Sequence, residues 1–363
     1  MQSSIISPFL FNYKPDESLN LSSYKRYIHI NIGKGASLFT HKKGTFCIIN
    51  DTNIEVIQFY QNLGSTKLHE FISTIALNWE LIEEFSQLSS KEIYISYQDF
   101  ENGIITLEDM QFMVRAIVLM NTDIEKFTPL FSQSFTITQD LFINSLIKSV
   151  VKQIAKIKDS TNKLKYSKSL ELFNKQIEIG FKTGFFNHFQ NIVNLQNTNM
   201  VDCIDKYKQL SFWYFIGQTS KGNKITYDTN GNLKSQYGED ETYKNHFKLL
   251  AHQIKKCYEE LTLQQIYYYN LPYNDFLSAV NPTKGDVLIA DLRSINQIKS
   301  IAHELKQNTV LSNVLNLFRN YTCQWIILID NDSKLAEINS NQEQLVITIH
   351  KENNTEFAVI SNI

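Results

Sequence analysis

An α/β fold with an open, mixed sheet, interrupted by a long helical insertion, is what this sequence predicts. Three observations predict it. Residues 25–60 read as strand, glycine turn, helix, strand, turn and helix, which is a βαβ unit with the layout of a nucleotide site. From about 66 to 200 the apolar spacing turns helical, and from 245 to 363 the α/β alternation returns. Three strands end in residues suited to ligand work: Gly33, Asp51 and Asp291. In open α/β sheets, chemistry lies just past the carboxyl ends of the strands.

Tyr27 to Ile32 alternates as a strand and runs into Gly33-Lys34-Gly35-Ala36, with a short helix expected from Ser37-Leu38-Phe39. Thr45 to Ile49 is a second strand, ending at Asn50-Asp51-Thr52-Asn53. The helix after it carries Val56, Ile57 and Tyr60 on one face. Gly33-Lys34-Gly35 lacks the Gly-Lys-Ser/Thr ending of a P-loop. Further strands are expected at Gln265–Tyr269, Asp286–Ala290, Gln324–Ile329, Leu345–His350 and Phe357–Ile360. The apolar, aromatic run Leu210 to Ile216 also reads as β. After it, Asn230-Gly231 between Tyr227 and Lys234 is a hairpin signal.

The chain has 363 residues, 43% of them hydrophobic and 20% charged, as in an ordinary globular protein. Its net charge of −2 bears on nucleic acid as a partner. Affinity for phosphate backbone comes mainly from Lys and Arg, so any DNA contact must be concentrated on one face. That face is legible in Leu146 to Gln176. Lys148, Lys152 and Lys156 recur at helical spacing opposite Ile147, Val150, Val151, Ile154 and Ile157, and Lys158, Lys163, Lys165, Lys168 and Lys175 follow. Such a row is either a solvated helix face or a DNA-backbone or partner surface. Cys47, Cys203, Cys257 and Cys323 are scattered, without zinc-pair spacing or a disulfide framework. Buried, reduced thiols and a cytoplasmic location are expected. No signal peptide and no apolar stretch of roughly 20 residues is read, so neither export nor a membrane span is expected. Histidines such as His188, His246 and His252 show no partner arrangement and read as packing residues.

Val287 to Ala290 runs into Asp291-Leu292-Arg293-Ser294, a carboxylate at the end of a buried strand. Together with the segments around it, this resembles the Dam-like DNA adenine-N6 methyltransferases, whose strand runs into Asp-Pro-Pro-Tyr. Pro8-Phe9-Leu10 matches the start of that family's N-terminal cofactor segment, but Phe11-Asn12-Tyr13-Lys14-Pro15 lacks its glycines. Tyr27 to Ala36 echoes Tyr-x-Glu-Pro-Phe-x-Gly-Gly-Gly-Ala, with His29 and Ile30 replacing Glu-Pro and Lys34 the middle glycine. Ile49-Asn50-Asp51-Thr52-Asn53, followed by Phe59-Tyr60, keeps the next motif closely. Tyr227 to Gly238 keeps the length and both glycines of the DNA-reading hairpin but loses its Asn-Val-Pro core. Tyr273-Asn274-Asp275-Phe276 and Gly285-Asp286 match the stretch ahead of the catalytic strand.

The resemblance implies a class I methyltransferase Rossmann-like sheet from 1–80 and 245–363. A helical insertion plus a β-hairpin, resembling a DNA-recognition domain, would occupy 81–244. It implies S-adenosylmethionine held by Gly33, Gly35, Asp51 and Asn53, with no metal. It implies double-stranded DNA approached by Lys148, Lys152, Lys156, Tyr227, Asn230, Gly231 and Lys234. Asp291 would take the catalytic position. An adenine methyltransferase holds the flipped base's amino group toward the sulfonium methyl and stacks the base on an aromatic face. Leu292 loses the proline-fixed backbone, Arg293 brings a cation near a sulfonium, and Ser294 offers no stacking surface worth the usual ~1–3 kcal/mol. The expectation is a catalytically impaired methyltransferase-like protein with weak or lost cofactor binding. It would act on DNA or as the partner of an active methyltransferase or restriction subunit. The alternative is a live S-adenosylmethionine-dependent enzyme. That enzyme would use Asp291, or Asn270-Leu271-Pro272-Tyr273, which resembles the Asn-Leu-Pro-Tyr-Asn of rRNA adenine dimethylases.

Overall fold

The computed structural model describes residues 24–33, 35, 38, 44–164, 169–197, 204–221, 225–238, 246–292, 307–330, 346–352 and 355–362. The chain divides into two compact units. One comprises residues 1–69, 224–231 and 249–363, the other 70–223 and 232–248.

The first unit is α/β. Its strands are β1 Arg26–Asn31, β2 Phe46–Asn50, β3 Gln265–Tyr269, β4 Asp286–Asp291, β5 Gln324–Asp330, β6 Val346–Glu352 and β7 Thr355–Ser361. They form one seven-stranded sheet in the order β3-β2-β1-β4-β5-β7-β6. The first five run parallel, and β7 pairs antiparallel with both β5 and β6. β1 and β4 are buried almost end to end, as continuous apolar strands covered on both faces must be. Ile28, Ile30, Leu288 and Ala290 pack with Phe276, Leu277, Val314 and Phe318, from helices α10 (Tyr273–Val280) and α11 (Gln307–Phe318). At the opposite rim Arg26 grips Asp286 through two hydrogen bonds of 2.9 and 2.6 Å. This holds the Asp286 carboxyl below its usual range against the pull of burial. Helices α1 (Ile54–Gln61) and α9 (His246–Leu261) complete the βα connections.

The second unit is helical. Its main elements are α2 Thr66–Glu101, most of which lies here, α3 Leu107–Thr122, α6 Gln139–Leu164, α7 Leu170–Asn197 and α8 Lys206–Thr219, with short helices α4 Thr128–Phe131 and α5 Gln133–Thr136. A core of phenylalanines joins them, Phe85, Phe142, Phe181, Phe185, Phe189 and Phe215 among its fully buried members. α7 meets α6 through Gly180 and Gly184, one helical turn apart. A Cβ there would lie 2.9 Å from Val150 Cα and 2.6 Å from Leu146 Cα. Lys182, with no exposed surface, is neutralised by Glu83 and Glu178, each at 2.7 Å.

One expectation is corrected. Leu210 to Ile216 is not a strand but the middle of α8, capped by the Asp205 side chain and buried on every side. An apolar run that long is ambiguous, because helix and strand bury it equally. At the expected hairpin, Gly231 N–H donates to the Asp228 carbonyl at 3.1 Å with φ +81°, bridge residues stand on either side of the turn at Tyr227 and Leu233, and Ser220 pairs antiparallel with Tyr237. Among the described residues, no helix is long and apolar enough to cross a membrane.

Candidate functional site

β1 and β4 are neighbours, with β2 and β3 on one side and β5 on the other. The strand order therefore reverses between their carboxyl ends, which is where open α/β sheets bind ligands. At β1 the exit is the turn Gly33–Gly35, with positive φ of +47° and +69° at the two glycines. Its concave side is already filled. A Cβ on Gly35 would lie 1.9 Å from the Tyr60 hydroxyl. Lys34, Ala36, Ser37 and Phe39 lie outside the described residues, and with them the expected short helix apart from Leu38, whose N–H donates to the Gly35 carbonyl at 3.0 Å.

Asp51, at the end of β2, is 2% exposed. Its two oxygens accept the Gly33 N–H at 2.9 Å and the Asn53 N–H at 2.8 Å. Burial raises its pKa to about 6, and the two N–H bonds oppose that rise. The carboxylate thus closes the β1 and β2 loops on each other, each oxygen already holding one N–H. Asn53 caps α1, accepting from Glu55 N–H at 2.9 Å, and donates to the Tyr227 hydroxyl at 3.0 Å. Tyr227 is 8% exposed, so it belongs to this cluster and presents no ring to a DNA groove. Asn230, Gly231 and Lys234 are exposed.

The segment after β3 is tied to β2. The Asn50 side chain donates to the carbonyls of Ile30 and Leu271, both at 3.0 Å, and accepts from Leu271 N–H at 2.9 Å. Asn270 donates to the Asp51 carbonyl at 2.7 Å. Pro272 sits at the N-cap of α10, and Tyr273 opens the helix. The Tyr273 hydroxyl is buried beside the Asn31 amide, without reaching hydrogen-bond geometry with it. Burial first, then the charge of Asp51, pushes its ionisation above the usual phenol range. Asn31 is 2% exposed and follows a bulge in the β1–β4 register, which re-aims residues at the strand's end.

Asp291 ends β4 at 5% exposure. His29, fully buried on the adjacent strand, feels its charge, but desolvation dominates and lowers the imidazole to about 3. His29 is therefore neutral at physiological pH. Leu292 continues the sheet, its N–H donating to the Leu328 carbonyl at 2.8 Å. Arg293 and Ser294 lie outside the described residues, as do Pro8 to Pro15. Among the described residues, no group of three or more His, Cys, Asp or Glu side chains could hold a metal ion.

In the helical unit, Lys148, Lys152 and Lys156 form the exposed row of α6, while Ile147, Val150, Ile154 and Ile157 are buried behind it. None of the three is in an ion pair among the described residues. Lys158 turns away, its Nζ lying 3.8 Å from the centre of the Phe100 ring. Lys163, Lys165 and Lys168 carry no described side chain.

The structure thus joins Gly33, Gly35, Asp51, Asn53, Tyr227, Asn270, Tyr273 and Asp291 to the carboxyl edge of one sheet. It adds three residues to which sequence reasoning gave no site role, Asn31, Asn50 and Tyr60, and sets His29 under the charge of Asp291. The Phe59-Tyr60 pair stood out in the sequence, but nothing there told which way its hydroxyl points. No protein-family model matches this chain, and no curated protein matches it in sequence.

Proposed function

We propose that this chain is a DNA adenine-N6 methyltransferase-like protein whose methyl transfer is impaired, and that it acts by binding DNA or an active methyltransferase or restriction partner. The observation that carries the reading is the position of Asp291. It ends the strand beside β1, whose own carboxyl end runs into the glycine turn, where an amino-group acceptor of a class I methyltransferase would work. The sheet order supports the same reading. It is an open, doubly wound order with an antiparallel β7 slipped between β5 and β6, the arrangement of class I methyltransferases. Impairment is supported by Leu292. Its N–H is spent on Leu328, so the chain stays on the sheet where a proline would leave it.

The rival tetrapeptide, Asn270 to Tyr273, follows an edge strand two places from β1. Its amide and its backbone serve to fasten β3 to β2. That arrangement favours Asp291 as the catalytic-position residue.

Weak or absent S-adenosylmethionine binding fits three features. Both Asp51 oxygens already accept N–H groups, the Tyr60 hydroxyl fills the glycine turn, and neutral His29 stands where the family has an acid. Losing that acid removes a charge term favouring a sulfonium. A calorimetric titration tests this. Millimolar or undetectable affinity is expected, and a micromolar dissociation constant abolished by Asp51→Ala would overturn it. Radiolabelled methyl transfer to DNA at a rate typical of the family would overturn the impairment. For DNA itself, the Lys148, Lys152 and Lys156 row is the phosphate-facing surface. Replacing all three with Ala is expected to weaken duplex binding and lower the salt slope by about 3. An unchanged slope would shift the reading to a protein partner. Cys47, Cys257 and Cys323 are buried free thiols, which suits a reducing, cytoplasmic setting.

A further inference from the structure

Helix α3 is apolar on both sides. Met110, Val114 and Val118 face the core. On the opposite arc Phe112 is 70% exposed, Met113 42%, Leu119 41% and Met120 71%. A surface helix ordinarily carries charge there. Contiguous apolar surface of this kind marks an interaction site.

The pattern on that arc is symmetric about half-buried Ala116. Phe112 and Met120 lie four residues to either side of it, and Met113 and Leu119 three. An antiparallel copy of α3, related by a two-fold axis through Ala116, would therefore set Phe112 against the partner's Leu119 and Met113 against the partner's Met120, each pair on its own side of the arc. The small residue falls on the axis, where two helix backbones come closest. Self-complementarity of this kind is what an isologous interface requires. At roughly 150–200 Å² for each side chain fully open, the arc offers about 400 Å² per copy. The pair would bury about 800 Å² before the exposed Ile104, Leu107 and Ile124 beside it are added, against roughly 1,200–2,000 Å² for a standard interface. We infer that this face pairs with a second copy of the chain, as a weak two-fold dimer in the micromolar range. At its rims Asp109 meets the partner's Asp123, so the association strengthens as salt screens the like charges.

Sedimentation equilibrium on the full chain, from about 1 to 500 µM, reads the dimer directly. Met120→Asp is expected to weaken it at least about tenfold. Cysteine cross-linking reads the register. Ala116→Cys is expected to form a disulfide dimer under mild oxidation, since two residues on the axis come within the roughly 4.4–6.8 Å that Cα atoms of a disulfide need. Phe112→Cys alone is not, whereas Phe112→Cys mixed with Leu119→Cys is. The parent protein under the same oxidation sets the background, and circular dichroism confirms that each surface variant folds. A monomer at every concentration would give the face to another protein and overturn self-pairing. So would a dimer indifferent to Met120→Asp, or one that cross-links equally at all three positions.

Discussion

Gly184→Ala is the sharpest test of how the helical unit holds together. The added Cβ would lie 2.6 Å from Leu146 Cα, 2.8 Å from the Ser145 carbonyl oxygen and 3.0 Å from Leu146 N. All three are backbone atoms, so no side chain can swing aside, and α6 and α7 must separate. Separation also strains the bond from Ser145 Oγ to the Gly184 carbonyl, now 2.8 Å. Overpacking of this kind costs about 1–3 kcal/mol, and a strained hydrogen bond about 1 kcal/mol. Against them stands the gain of about 1 kcal/mol for replacing glycine with alanine inside a helix. The net expectation is a loss of about 2 kcal/mol, or about 4–8 °C in melting temperature for a unit of this size. Gly180→Ala is the graded comparison. Its Cβ would sit 2.9 Å from Val150 Cα, but its other close neighbours are side-chain atoms of Val150 and Gln153, which can move. Urea unfolding followed by circular dichroism should rank the parent above Gly180→Ala, and Gly180→Ala above Gly184→Ala. A Gly184→Ala protein as stable as the parent, or a reversed order, would refute the close-packed account of this helix pair.

Acid should destabilise the protein. His29 and His188 are held neutral by burial, at about 3 and about 4, so the unfolded chain binds more protons below the ordinary histidine pKa. Their contribution is intact above about pH 6.5 and is lost as pH falls toward those values. Asp51, raised to about 6, works in the opposite sense and gains stability as pH falls from about 6 to about 4. Two histidines against one carboxyl leave about one proton, or about 1.4 kcal/mol per pH unit, between about pH 5.5 and 4.5. His29→Gln should flatten the slope of unfolding free energy over that window; a variant slope equal to the parent's would remove His29 from the account. Lys182→Ala should cost about 2–5 kcal/mol, because it leaves a cavity at a fully buried site and removes the cation that Glu83 and Glu178 share. Lys182→Met should cost less, since it keeps the volume beside Trp79, and equal thermal shifts for the two would contradict that.

The strands of the sheet were legible to within a few residues, because each is a short apolar run bounded by turn chemistry. Gly33, Asp51 and Asp291 were legible for the same reason, since each ends such a run. α8 was misread because its aromatic run is buried all round and leaves no period to read. The roles of Asn31, Asn50 and Tyr60 could not be read at all. Asn50 joins two strands more than 200 residues apart in sequence, and the Tyr60 hydroxyl meets Gly35 only after α1 has docked. The symmetry of Phe112, Met113, Leu119 and Met120 was in the sequence throughout, but it gained meaning once Val114 and Val118 proved to face the other way.

The bond from Leu292 N–H to the Leu328 carbonyl works as a ratchet. A proline at 292 would delete that donor, leave the Leu328 carbonyl without it, and press its ring toward β5. No single substitution therefore leads smoothly from this chain to a proline-bearing tetrapeptide. The sheet would first have to release β4 one residue earlier, which requires a second change on β5. A bond of ordinary length in the ladder thus sets which residue types position 292 accepts.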